Sequence, residues 1–154
     1  MFDDKTLAEL EEVKRRYPAP RAAMLPVVHA VQRHKGWIDA DAVRWVAEFL
    51  GIDPMYVHEV VTFYPMLYDE PVGRHVIHVC RTLSCDACGG KELWAHLERR
   101  LGVGRNGTTR DGRFTLRAAE CLASCGTAPA LLLDGERHEC MTPERVDALL
   151  ESAS

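Results

Sequence analysis

The sequence predicts an α+β chain in which a bundle of short helices precedes a helix-covered mixed sheet, and three observations carry that prediction. Apolar residues in the first part recur at helical spacing between recognisable caps and stops. Beyond about residue 73, short apolar runs bounded by turn residues take over. All six cysteines, at 80, 85, 88, 121, 125 and 140, fall in that second part. The expected division is a helical unit over 1–70 and a sheet unit over 71–154.

The first helix is expected over Leu7 to Arg16, with Glu11/Arg15 and Glu12/Arg16 at i,i+4 spacing, and it stops at Pro18 and Pro20. A second runs from Arg21 to Lys35, bent slightly at Pro26 and ended by Gly36. In the third, Val43, Val46, Ala47 and Leu50 form one apolar stripe, capped by Asp39 or Asp41 and closed by Gly51. Asp53 and Pro54 open the fourth, whose stripe is Val57, Val60, Val61 and Tyr64. From Pro65 to Gly73 the helical period is lost, which reads as a linker.

His75 to Cys80 is the first strand, and Leu93, Trp94, Leu97 and Leu101 mark a helix behind it. A glycine-bearing loop at 104–113 leads into a strand at Phe114 to Ala119. Ala130 to Leu133 and Glu136 to Glu139 form a hairpin across Asp134-Gly135. Thr142-Pro143 then caps a last helix bearing Val146, Leu149 and Leu150. Helices laid on a small mixed sheet are what this order builds, and a thioredoxin-like layer fits it.

Composition narrows the function classes. The chain has 154 residues, 47% of them hydrophobic and 27% charged, which is ordinary for a globular protein. A formal net charge of -4 gives no cationic field to hold nucleic acid or anionic lipid. No apolar run approaches the roughly 18 residues needed to span a bilayer, so direct membrane insertion is not expected. The start lacks the plan of a secretion signal or organelle presequence, so a cytoplasmic location is expected. In that reducing setting, cysteines point to metal or redox chemistry before disulfides.

Two cysteine pairs stand just past predicted strands, Cys80-x4-Cys85 and Cys121-x3-Cys125. If the two loops share one sheet edge, four thiolates converge, the ligand set of a 2Fe-2S cluster or a structural zinc. An anionic cluster wants backbone N–H donors, expected from the helix start at Gly89-Gly90 and the turn Cys125-Gly126-Thr127. Two other readings use the same residues. Cys80-x4-Cys85-x2-Cys88 reproduces the plant-type ferredoxin triplet, and Cys85-x2-Cys88 between a strand and a helix is a place for a thioredoxin-like redox dithiol. Spacing leaves all of these open.

The remaining candidates are weaker in pattern. His75 and His78 differ by three along a strand and face opposite ways, which argues against a Rieske-type pair. There is no G-x-G-x-x-G after a strand and no P-loop, so no nucleotide site is expected, and the glycines at 102, 104 and 107 read as a turn. Arg81, beside the first cysteine, is either an exposed side chain or a charge that stabilises a reduced centre. Trp37, Trp45, Phe63, Tyr64 and Tyr68 are each read as core, and together as a partner surface.

Many ordered matches then point to a family. They include Tyr17-Pro18, Arg21 through Pro26 leading to Gln32, Gly36-Trp37, Val46-Ala47, and Val57 with Val60 through Tyr64. They continue with Pro71-Val72-Gly73, Val79-Cys80, Cys85, Gly89, Asp111 through Phe114, Glu120 through Cys125, Ala128-Pro129 and Thr142 through Val146. Over nearly its whole length the chain resembles the thioredoxin-like 2Fe-2S proteins that form the E subunits of bacterial NADH-quinone oxidoreductase (respiratory complex I). Relatives of that family occur in bidirectional hydrogenases and NAD-dependent formate dehydrogenases.

The resemblance implies a helical docking domain, a ferredoxin domain, and Cys80, Cys85, Cys121 and Cys125 as ligands of one 2Fe-2S cluster. Cys88 and Cys140 depart from the family pattern. It also implies a flavoprotein partner carrying FMN and NADH, further iron-sulfur subunits, and a place in a peripheral arm on the cytoplasmic side of the inner membrane. The chain itself would exchange single electrons with that flavin and would hold no NADH or quinone site. Pro129 stands where thioredoxin-like folds often place a cis proline.

Overall fold

Aspartate side chains at Asp3, Asp39 and Asp53 open three of the first four helices. The computed structural model describes residues 2–153, in two units, Met1–Pro71 and Val72–Ser154. In the first, α1 (Asp4–Arg15) begins where the Asp3 carboxylate accepts the Thr6 N–H at 2.8 Å. Its exposed ion pairs join Glu12 to both Arg15 and Arg16. A short 3-10 turn, Pro20–Ala23, precedes α2 (Met24–Lys35). Pro26 therefore lies in the first turn of α2, where its missing N–H costs nothing, and no bend is needed.

The third helix, α3 (Ala40–Leu50), starts where Asp39 accepts the Ala42 N–H at 2.8 Å and ends at Gly51 in the left-handed region, φ +67°. Asp53 and Pro54 open α4 (Pro54–Phe63) as the sequence predicts. The four apolar faces bury Leu10, Val27, Val31, Val46, Leu50, Val57 and Val61 in one core. The segment after α4 is not a free linker. Leu67 is buried in that core, and the Gln32 side chain donates to Met66 O at 2.8 Å and accepts from Tyr68 N at 2.7 Å. A side chain clamping a backbone leaves no periodic signal, which is why this segment reads as loose.

In the second unit the sheet has the order β2-β1-β3-β4, built from β1 (His75–Cys80), β2 (Phe114–Ala119), β3 (Leu131–Leu133) and β4 (Glu136–His138). β1 and β2 are parallel, with Cys80 beside Ala119. β3 runs antiparallel to β1, with Val79 beside Leu131. Consequently the chain leaving β1, the chain leaving β2 and the chain entering β3 all meet at one end of the sheet. A helix of five residues, α5 (Leu83–Ala87), follows β1 and was not signalled by any period.

The sheet is covered by α6 (Gly90–Leu101) and α7 (Pro143–Ser152), whose Leu93, Leu97, Val146 and Leu150 bury against Ile77, Val79, Leu116 and Leu131. His96 and Arg100 of α6 reach the Asp147 carboxylate of α7 at 3.0 and 3.2 Å. Among the described residues no helix is long and apolar enough to cross a membrane. The molecule is thus of the α+β class expected, helices first and a helix-covered mixed sheet second.

Candidate metal centre

Parallel pairing of β1 and β2 brings the two cysteine loops together, because both strands release their chains at the same end. Cys80 is the last residue of β1, and its N–H donates to Ala130 O at 3.1 Å, so the residue before β3 touches it too. Cys85 sits inside α5, and both are buried, at 3% and 2% exposure. Cys121 and Cys125 lie on the second loop and are exposed. Cys88, at the end of α5, and Cys140, after β4, are exposed as well.

Hydrogen bonds and burial act in opposite directions on the two buried cysteines. Burial alone would raise the Cys80 thiol, yet the Thr82 hydroxyl, the N–H groups of Thr82 and Leu122, and Cys85 outweigh it and hold Cys80 below its ordinary value. The Thr82 Oγ1 is 3.3 Å from Cys80 Sγ, and so is Glu120 O. Cys85 goes the other way: burial, and then its bond to Cys80, push it up to about 11, against the Ala130 N–H and with added repulsion from Cys80 and Cys125. On the second loop the Ala123 N–H donates to Cys121 Sγ at 3.4 Å. Ala123 achieves this with a left-handed φ of +56°.

These donors differ from the expected ones. Of the expected donors, the Gly89 N–H is used on Asp86 O and the Thr127 N–H on Ser124 O. Gly90 has another task. A Cβ there would lie 2.7 Å from Cys85 O, so only glycine lets α6 approach α5 this closely. The Ala128–Pro129 bond is cis.

Flanking residues frame the two loops. The Arg81 guanidinium donates through Nε to Glu120 Oε1 at 2.9 Å and reaches the same oxygen through a second N–H. Arg81 is therefore paired with the residue that precedes Cys121. The Cys140 N–H donates to Thr127 O at 2.7 Å and the Met141 N–H to Pro129 O at 3.0 Å, so the segment after β4 straps the second loop. Glu139 is held below the ordinary carboxylate range by the hydroxyls of Ser124 and then Thr127. Sequence reading missed Thr82, Leu122, Ala130, Glu120 and Glu139. Only Thr82 and Glu120 carried a signal, a hydroxyl and a carboxylate beside ligand candidates.

Among the described residues no three His, Cys, Asp or Glu side chains are grouped to hold one metal ion. Cys80 instead contacts Cys85, and the second loop meets the first through Leu122 and Cys125. Two thiolates for each of two irons is the demand of a 2Fe-2S cluster, and the N–H groups on the sulfurs suit an anionic group. The donor set fits. A nucleophilic Cys85-Cys88 dithiol fits less well, since such chemistry needs an accessible, stabilised thiolate and Cys85 is neither.

His75 Nδ1 is 2.6 Å from Asp134 Oδ2, and His78 is buried within β1, so both serve the sheet. Of the aromatic residues in the helical unit, Trp45 stacks on Phe49 at 5.0 Å, whereas Phe63 is 75% exposed and does not belong to the core.

Comparison with known proteins agrees with this geometry. The thioredoxin-like 2Fe-2S ferredoxin family matches residues 10–154. The NADH-quinone oxidoreductase E subunit 2 of Rhizobium meliloti is 38% identical over 144 residues, covering 94% of this chain and 86% of that protein. NADH-quinone oxidoreductase subunit 2 of Thermus thermophilus is 40% identical over 152 residues, 97% of this chain and 83% of the relative. In fold, the chain is similar to part of an NAD+-reducing NiFe-hydrogenase structure, with a TM-score of 0.73 and 23% identity. That likeness covers 84% of this chain and 22% of the hydrogenase chain. With its sheet, its paired cysteine loops and a family match over most of its length, the chain belongs to the thioredoxin-like 2Fe-2S ferredoxins.

Proposed function

We propose that this chain is the electron-transfer subunit of an NADH-oxidising complex of the NADH-quinone oxidoreductase type, holding one 2Fe-2S cluster on Cys80, Cys85, Cys121 and Cys125. The observation that carries this reading is the meeting of two cysteine loops at one end of the sheet, with N–H groups directed at their sulfurs. Family membership and the relatives from NADH-quinone oxidoreductases support it. Bound there, the cluster supplies a one-electron couple that can receive electrons singly from a flavin on a partner flavoprotein subunit.

The chain's own residues prepare that centre. Thr82 and Leu122 hydrogen-bond Cys80 and favour its thiolate. Buried Cys80 and Cys85 keep water from one side, while the exposed second loop leaves the other side open to a partner. The helical unit, residues 1–71, is the docking body, and its exposed Phe63, Met55 and Met66 are the apolar contacts it offers. In the parent complex the chain belongs to a peripheral arm on the cytoplasmic side of the inner membrane, beside further iron-sulfur subunits.

Iron and acid-labile sulfide analysis of anaerobically purified protein tests this, together with its visible and reduced-state EPR spectra. Two irons and two sulfides per chain are expected. A colourless protein with one zinc, or a metal-free protein with dithiol activity, overturns the reading. Co-purification with an FMN-containing subunit tests the partner, and the other subunits recovered identify the parent complex.

A further inference from the structure

The ladder between β1 and β2 ends at Cys80 beside Ala119, and the last backbone link is Arg81 N to Ala119 O at 3.1 Å. Beyond it the two chains separate into the two cysteine loops. The next connection outward is made by side chains, Arg81 to Glu120. Glu120 also presents its backbone oxygen 3.3 Å from Cys80 Sγ and precedes Cys121 directly. One residue thus touches the first cysteine, bonds its neighbour and leads into the second pair.

From this geometry, and resting on the functional reading above, we infer that Arg81 and Glu120 are positioning residues: their ion pair clasps the two cysteine loops and cancels the Arg81 charge beside the centre. At 47% and 70% side-chain exposure the pair adds little to the stability of the fold. Its effect falls on the loops, which have no ladder of their own. An added electron makes the centre more negative, so an uncancelled Arg81 favours reduction and an uncancelled Glu120 opposes it. A cavity of about 240 Å³, bordered by Cys80, Arg81 and Ala118, lies beside the pair, so solvent moderates both effects.

The test uses cluster-loaded protein carrying Glu120→Gln, Arg81→Gln, Arg81→Glu, or the exchange of Arg81→Glu with Glu120→Arg. Chelator-driven loss of the cluster is expected to quicken by up to about fivefold in each single variant, the range of an exposed pair. The exchange restores the original rate. The reduction equilibrium constant rises in Glu120→Gln, falls in Arg81→Gln and returns toward the starting value in the exchange, while thermal unfolding of every variant in metal-free form stays unchanged. Single variants that hold the cluster as firmly as the parent overturn the clasp, as does an exchange that fails to rescue. Potentials that shift in the same direction in both Gln variants overturn the charge cancellation. A parent protein that takes up no iron and sulfide overturns the functional reading and this inference together.

Discussion

The two cysteine loops leave neighbouring strands at the same end of the sheet, yet they are built in different ways. The first is wound into α5, with Cys80 and Cys85 at 3% and 2% exposure and α6 packed against it through Gly90. The second has exposed cysteines, passes through a left-handed residue at Ala123, and is steadied from outside by the strap after β4. Half of the site is therefore part of the unit's interior, and half is a surface loop held by a few hydrogen bonds. On the proposed ligand set, the interior half shapes the centre in advance and the surface half gives a partner access.

Serine substitutions test this contrast most strongly. Replacing any one of Cys80, Cys85, Cys121 and Cys125 is expected to remove or alter the cluster in iron and sulfide assays, while Cys88→Ser and Cys140→Ser retain it. In metal-free protein the two loops part company. Cys80→Ser and Cys85→Ser bury a hydroxyl and lower stability by about 1–3 kcal/mol, whereas Cys121→Ser and Cys125→Ser stay within about 0.5 kcal/mol in denaturant unfolding. Retention in Cys121→Ser combined with loss in Cys88→Ser would move the ligand set to the plant-type triplet.

Gly90→Ala sharpens the same comparison without touching sulfur. Its methyl group meets Cys85 O at 2.7 Å, so α6 must shift, at a cost of about 1–3 kcal/mol in denaturant unfolding. Thr82→Val removes the hydroxyl from Cys80 while keeping the shape. The cluster should then be harder to reduce, with an equilibrium constant about fivefold lower in a redox titration, because hydrogen bonds to sulfur favour the more negative state.

The smallest effect belongs to the strap. Glu139 has its pKa lowered by Ser124 and Thr127, so the stability it contributes is present above its unfolded value, near 4.5, and is lost as pH falls through the lower folded value. Thermal unfolding of metal-free protein should therefore depend less on pH in this acid range for Glu139→Gln than for the parent. Equal slopes would mean that the hydroxyls do not anchor the strap.

Elements with a cap and a period were legible in the sequence. Asp39 with Gly51 bounds α3, Asp53-Pro54 opens α4, Thr142-Pro143 opens α7, and Asp134-Gly135 turns the hairpin. Short or aperiodic pieces were not. Five residues of α5 are too few to show a stripe, and the 3-10 turn at Pro20–Ala23 merges with α2 in any pattern. The two cysteine loops were visible as spacings, but their meeting depends on β1 and β2 being parallel, a pairing between residues far apart in the chain. The sulfur donors were hidden for a deeper reason. They are backbone N–H groups of Thr82, Leu122, Ala123 and Ala130, and every residue but proline owns such a group, so side-chain identity says nothing about where it points.

The Asp134-Gly135 turn sits at the far pole of the sheet, fastened to the beginning of β1 by Asp134 N to Val76 O at 3.0 Å. With β1 running six residues from His75 to Cys80, a dye or affinity handle grafted there stands roughly 17 Å from the cysteines. The hairpin is thus a natural mounting point for tracking the protein during assembly while leaving the proposed electron-carrying pole unencumbered.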